Sequence, residues 1–149
     1  MNDLQSYLHQ HIPLSASIGV TVAQFTQHSL ILTAPLEPNI NHRDTVFGGS
    51  ACAVAILTAW SLIHVQMKKH PQINPRIVIQ RNSIDYLKPI ISDFYATCSL
   101  PEVGAWNRFI KGVERKGRGR VELDCILSCD GDKVGYFTGQ YVVFDMSRT

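Results

Sequence analysis

At 149 residues the chain suits one domain with one sizeable core, and a second independent core would be cramped. Its 45% apolar and 17% charged residues exclude a disordered chain. A net charge of +2 gives no support to a general nucleic-acid binder.

The chain opens Met1-Asn2-Asp3-Leu4-Gln5, without a basic segment leading into an apolar one, so no signal peptide is expected. Asp3 is predicted to cap a short helix over Leu4 to His11 that stops before Pro13. Ile18 to Phe25 alternates with period two and reads as a half-buried strand. Gln27-His28 makes a turn, and Ser29 to Ala34 completes a hairpin. A long polar loop follows, Pro35 to Val46, and loops of this length are often functional.

Gly48-Gly49-Ser50 leads into a helix over Ala51 to about Gln66, apolar on nearly every side. Such a helix must be enclosed by the rest of the domain. The small residues Ser50, Ala51, Ala53, Ala55 and Ala59 let a sheet come close to its backbone. Thr58, Ser61, His64 and Gln66 interrupt the apolar stretch, which is too short and too polar for a membrane span. No membrane partner is expected.

Past Pro71 and Pro75 the pattern becomes strand-like. Arg76 to Tyr86, running into Leu87-Lys88-Pro89, is one strand, and Phe94 to Leu100 is another. Val103 to Lys116 stays open between two readings. Trp106, Phe109, Ile110 and Val113 fit a helix, while Arg108 to Val113 also tolerates an extended form. Val121 to Leu127 and Val134 to Phe144 flank Asp130-Gly131-Asp132, a hairpin turn. The order is two strands, one buried helix, then four strands. That is an α+β layering, without the alternating units of a nucleotide-binding parallel sheet. Cys52, Cys98, Cys125 and Cys129 form no CxxC pair and read as reduced thiols of a cytoplasmic protein. No metal or cofactor is expected.

Three segments carry a family likeness. They are Leu32-Thr33-Ala34-Pro35-Leu36, Pro38-Asn39-Ile40-Asn41-His42 and Thr45-Val46-Phe47-Gly48-Gly49-Ser50, with Ile84-Asp85-Tyr86-Leu87-Lys88-Pro89 further on. Over about Leu8 to Phe144 the chain resembles hotdog-fold thioesterases, and among them the thioesterase domain of the YiiD C-terminal type. The resemblance implies a single domain over 1–149, with one long central helix wrapped by a curved antiparallel sheet of about six strands. It also implies hydrolysis of an acyl-CoA or acyl-carrier-protein thioester. Domains of this kind pair about a two-fold axis with sites between subunits, so a homodimer or dimer of dimers is expected.

Thioester hydrolysis builds negative charge on the carbonyl oxygen, and a helix start offers free N–H groups and a favourable dipole. Gly48 and Gly49 stand at that place, with tight helix–sheet packing as the plainer role. The resemblance makes the Gly48 amide the oxyanion donor. It gives Asn41 the task of holding water or thioester, against an Asx-turn within the loop. His42 is a candidate base or substrate contact, against a surface histidine. Phe47 stands where many relatives have His. Ile56 stands where many carry a carboxylate, and no carboxylate occurs from Ala51 to Met67. Ser50 and Thr58 are hydroxyls with no evident base, and mid-helix hydroxyls commonly bond back to the helix. Asp85, with Ser83 on the same strand face, is a further candidate across a dimer interface. The run from Arg115 to Arg120, with Arg118 and Arg120 as substrate contacts, reads as a phosphate-docking patch or as a solvated turn between strands. The alternative to an enzyme is a non-catalytic acyl-CoA or acyl-carrier binding module.

Overall fold

The computed structural model describes residues 2–148. Helix α1 is Asn2–His11, and α2 is Pro13–Ser17. Strands β1 (Thr21–Phe25) and β2 (Ser29–Ala34) make the first hairpin. A short 3-10 turn, Glu37–Asn39, lies in the following loop. Helix α3 is Gly48–Met67. Then come β3 (Pro75–Tyr86), β4 (Phe94–Ser99), helix α4 (Val103–Lys116), β5 (Arg118–Cys129) and β6 (Asp132–Asp145). The six strands form one antiparallel sheet in the order β1-β2-β4-β5-β6-β3.

Three expectations need correction, and one left open is decided. Helix α1 begins at Asn2, so Asp3 lies in its first turn, where its charge suits the helix dipole, and does not cap it. The first strand begins at Thr21. Pro13 starts α2, as its fixed φ and missing N–H allow, and Ile18 closes that helix. The open segment from Val103 to Lys116 is a helix. It turns Phe109, Ile110 and Val113 onto the core, with Trp106 beside them. The basic run is therefore not a turn between strands. Arg115 and Lys116 end α4, Gly117 reverses the chain with φ +78°, and Arg118 to Arg120 open β5.

Helix α3 touches every strand from β2 to β6. Leu62, Ile63 and Met67 are fully enclosed, each worth about 1.5–3 kcal/mol of burial. The helix is long and apolar enough to cross a membrane by composition, but half of its apolar window is buried inside this fold. The sheet supplies alternating partners such as Leu30, Leu32, Ala96, Leu123, Cys125 and Tyr141. Tyr141 donates its hydroxyl to the Ile56 carbonyl at 2.8 Å, so this buried phenol is satisfied and its pKa is pushed up, chiefly by burial. Thr58 bonds back to the Val54 carbonyl at 2.6 Å, as a mid-helix hydroxyl is expected to do. The result is an α+β arrangement with one long helix against six antiparallel strands, as the sequence implies.

Candidate active site

The loop from Pro35 to Val46 is a scaffold for the start of α3. Asn39 is buried, and its amide donates to the carbonyls of Ile18 and Pro35 at 2.8 and 2.7 Å. The Asn39 backbone carbonyl accepts from the Phe47 N–H at 2.7 Å. The Val46 N–H reaches the Ile90 carbonyl at 2.9 Å, tying the loop to the segment after β3. Phe47 is held extended, with φ −60° and ψ 131°, one residue before the helix.

The first turn of α3 leaves donors free. Ser50 and Ala51 donate to the Phe47 carbonyl, but among the described residues neither the Gly48 nor the Gly49 N–H has a partner. No side chain caps this end. Free N–H groups at a helix start carry partial positive charge and favour a negative oxygen. Gly48 lies on a cleft of about 400 Å³ lined also by Thr45, Val46, Ala51 and Tyr86 to Ile90. Its lining is largely apolar, with Thr45, Tyr86 and Lys88 as the residues that carry polar side chains. Lys88 also lies 3.6 Å from Asp132 across the surface.

The two glycines serve different contacts. A Cβ on Gly48 would sit 3.3 Å from the Tyr86 ring and hydroxyl, while one on Gly49 would run into the Phe47 ring. Tyr86 donates to the Gly48 carbonyl at 2.9 Å. Burial and the nearby Cys52 raise the Tyr86 pKa, which keeps that proton in place at neutral pH. Phe47 is exposed and folds its ring over Gly49.

Asn41 lies beside the cleft and builds it indirectly. Its Oδ1 accepts from the N–H groups of Arg43 and Thr45 at 2.8 and 3.2 Å, an Asx-type turn. Its Nδ2 donates to Thr45 Oγ1 at 2.9 Å. Thr45 accepts that bond, so its own hydroxyl proton is free to donate. His42 is exposed on the same loop, and Ser50 is half-buried in the first turn.

Strand alternation separates the remaining candidates. Asn82 accepts from the Cys52 thiol at 3.6 Å, Ile84 packs on the core and Tyr86 meets Gly48, so these three face the helix. Ser83 and Asp85 then share the opposite, outer face. Both are exposed, and within one chain neither is brought to the Gly48 cleft. Arg118 and Arg120 are exposed at the far end of β5. Leu127 stands level with Tyr86 across Gly135, whereas Arg118 stands level with Arg76 across Phe144. Burial pushes the Cys52 thiol pKa up, so it remains a protonated, weak nucleophile. Ile56 packs against the core, confirming that α3 offers an apolar surface where a carboxylate would stand.

Sequence reasoning gave no role to Tyr86, Thr45 or Lys88. The segment Tyr86-Leu87-Lys88-Pro89 was visible as a strand end. Its contact with a glycine 38 positions earlier follows only from the topology.

Comparisons with known proteins agree with this architecture. Residues 1–145 match the family described as "Putative thioesterase (yiiD_Cterm)". The chain is similar to a solved protein of unknown function from Chlorobaculum tepidum, with 28% identity, 97% of this chain and 93% of that one covered, and a TM-score of 0.91. It is similar to a protein from Shewanella oneidensis described as a "putative thioesterase", with 30% identity, 96% of each chain covered and a TM-score of 0.85. A Pseudomonas aeruginosa protein with 15% identity, 97% and 95% coverage and a TM-score of 0.82 shares the fold. The match over nearly the whole chain, with one long helix wrapped by six strands and opening at Gly48-Gly49, places this protein in the YiiD C-terminal thioesterase family of the hotdog fold.

Proposed function

We propose that the protein hydrolyses an acyl thioester, of coenzyme A or of an acyl-carrier protein, at the Gly48 cleft. The observation that carries this reading is the pair of unpartnered N–H groups, Gly48 and Gly49, at the start of a helix whose first residue, Gly48, lines an apolar cleft. Water attacks the thioester carbon, forming a C–O bond as the carbonyl electrons move onto oxygen. The two N–H groups hold that oxygen, a contribution of about 3–4 kcal/mol per donor in comparable sites. Collapse breaks the C–S bond, and the leaving sulfur takes up the proton that water gives up. Asn41 acts through Thr45, whose hydroxyl it fixes at the cleft. Phe47, Ser50 and His42 border the path of the substrate.

The working form in this reading is a cytoplasmic homodimer, or a dimer of such dimers. Any part played by Asp85 and Ser83 then falls to a second copy, because their face turns away from the cleft of their own chain. A second reading, a non-catalytic acyl-CoA or acyl-carrier binding module, is favoured by Ile56 standing where related helices carry an acid. Purified protein offered acyl-CoAs of short, medium and long chain with a thiol reagent separates the two. Thiol release supports hydrolysis. No release, together with a raised melting temperature on adding acyl-CoA, establishes the binding module.

A further inference from the structure

The two glycine N–H groups at the start of α3 belong to different peptide groups. The Gly48 N–H shares its peptide with the Phe47 carbonyl, and the Gly49 N–H shares its peptide with the Gly48 carbonyl. A carbonyl that accepts a hydrogen bond draws charge from its own N–H, which becomes a better donor. The Phe47 carbonyl accepts from the Ser50 and Ala51 N–H groups at 3.0 and 3.2 Å, bonds that the helical turn supplies by itself. The Gly48 carbonyl has a partner that the helix does not supply. The Tyr86 hydroxyl donates to it at 2.9 Å, from 38 residues further along the chain.

The fold holds this donor in place from both sides. Gly48 has no positive φ, so its backbone does not call for glycine. A Cβ there would stand 3.3 Å from the Tyr86 ring and hydroxyl, so the missing side chain is what admits the phenol. Tyr86 is the last residue of β3. Just beyond it, the Leu87 and Lys88 N–H groups both donate to the Val134 carbonyl, at 2.9 and 3.3 Å. On the helix side, the Val46 N–H donates to the Ile90 carbonyl at 2.9 Å. The strand end and the helix start are therefore tied together around the Tyr86 bond. A donor fixed beforehand does not have to be ordered when charge develops.

The bond gains strength at the moment the reaction needs it. Tyr86 is 54% exposed and lines the Gly48 cleft, so water competes for its hydroxyl while the cleft is open. A substrate in the cleft excludes that water. Negative charge growing against the Gly49 N–H then enlarges the dipole of its peptide, and the Tyr86 bond at the carbonyl end tightens with it. An interaction that is stronger in the transition state than with bound substrate raises kcat and leaves KM alone. The phenol acts through the peptide and not on the thioester, and it keeps its proton throughout.

We propose that Tyr86 is a positioning residue for the thioester reaction: its hydroxyl, bound to the Gly48 carbonyl, orients and polarises the Gly48–Gly49 peptide so that the Gly49 N–H is a strong oxyanion donor. The proposal rests on the Gly48 cleft being the thioester site. It gives the two donors separate supports, the helical turn behind the Gly48 N–H and strand β3 behind the Gly49 N–H.

Two measurements on Tyr86→Phe, which keeps the aromatic ring and removes the hydroxyl, test the proposal. The first records ¹H–¹⁵N spectra of the full chain without ligand. The Gly49 nitrogen is expected to move upfield, and by more than the Gly48 nitrogen, whose peptide Tyr86 does not touch. A Gly49 resonance that stays in place, or an equal shift at both glycines, overturns the polarisation. The second measures steady-state hydrolysis of short-, medium- and long-chain acyl-CoAs. For Tyr86→Phe kcat is expected to fall about three- to tenfold, the worth of one neutral hydrogen bond, with KM unchanged. Tyr86→Leu, which also lacks the ring, should lose no less. A wild-type kcat in Tyr86→Phe, with the loss confined to Tyr86→Leu, makes the ring a packing element over the glycine and overturns the proposal. So does a raised KM with kcat kept. If the wild type releases no thiol from any of these acyl-CoAs, the hydrolytic reading falls by itself. The Gly49 shift then still decides whether Tyr86 polarises that peptide.

Discussion

A proline at position 48 would remove one N–H and little else. Position 48 is the first residue of α3, where proline fits a helix. Phe47 already has the extended conformation that a following proline demands. The added ring meets the Tyr86 side chain, which is exposed enough to shift. Gly48→Pro is therefore expected to lower kcat by about 10²–10³-fold with a melting temperature close to wild type. Turnover that survives the change would remove Gly48 from the chemistry. Asn41 makes a different case, since its side chain engages two backbone N–H groups and one hydroxyl. Asn41→Ala is expected to cost about 1 kcal/mol in chemical denaturation, modest because the loop is partly exposed. Turnover should fall with it, and Thr45→Val should reproduce that fall if Asn41 acts through the Thr45 hydroxyl.

At the scale of elements, α3 and α1 share an aromatic cluster that responds to pH. His64 stacks on Trp60 and on Tyr7, with ring centroids 4.9 and 4.6 Å apart. Burial, then the Lys68 ammonium and His11, lower its pKa from 6.5 to about 4. The folded state thus prefers neutral His64, while the unfolded chain takes up a proton below pH 6.5. Stability from this residue is full above pH 6.5, falls as the pH drops, and is lost by about pH 4. Melting temperatures measured from pH 4 to 7 should rise more steeply for wild type than for His64→Gln. Parallel curves would show that His64 is not held neutral. The helical reading of α4 belongs at this scale too. Its periodic residues fit a helix and its exposed stretch tolerated a strand, and packing of Phe109 and Val113 against Gly119 decides between them. A Cβ at Gly119 would strike the Phe109 carbonyl and the Val113 side chain, so this approach exists only because β5 has a glycine there.

For the whole molecule, the open edge of β3 and the half-buried stripe of α3 beside it are the surfaces that a second copy would cover. A charge placed there has to lose its water when the copies meet. Ala53→Arg is expected to shift the protein towards monomer in analytical ultracentrifugation while its far-ultraviolet circular dichroism is kept. Acyl-CoA binding should weaken with it if two chains build each site. An unchanged association state would move the interface elsewhere on the surface.

Much of this architecture is written locally. A twenty-residue helix apolar all round has to be enclosed, and the alternation in its neighbours makes them the sheet that encloses it. Gly48 and Gly49 at its start mark free N–H groups, because the first turn of any helix leaves them. The missing helix acid was equally plain at Ile56. What local pattern does not carry is contact between distant segments. Tyr86 reaches Gly48, Arg76 lines up with Arg118 through Phe144, and Asp85 faces away from the helix only once the register of β3, β5 and β6 is set. Register comes from burying one face of every strand at once, a property of the whole sheet. The sequence by itself determined the helix, its strands and the chemistry at the helix start; the tertiary structure alone decided which side chains surround that start and which are carried to the other end of the sheet.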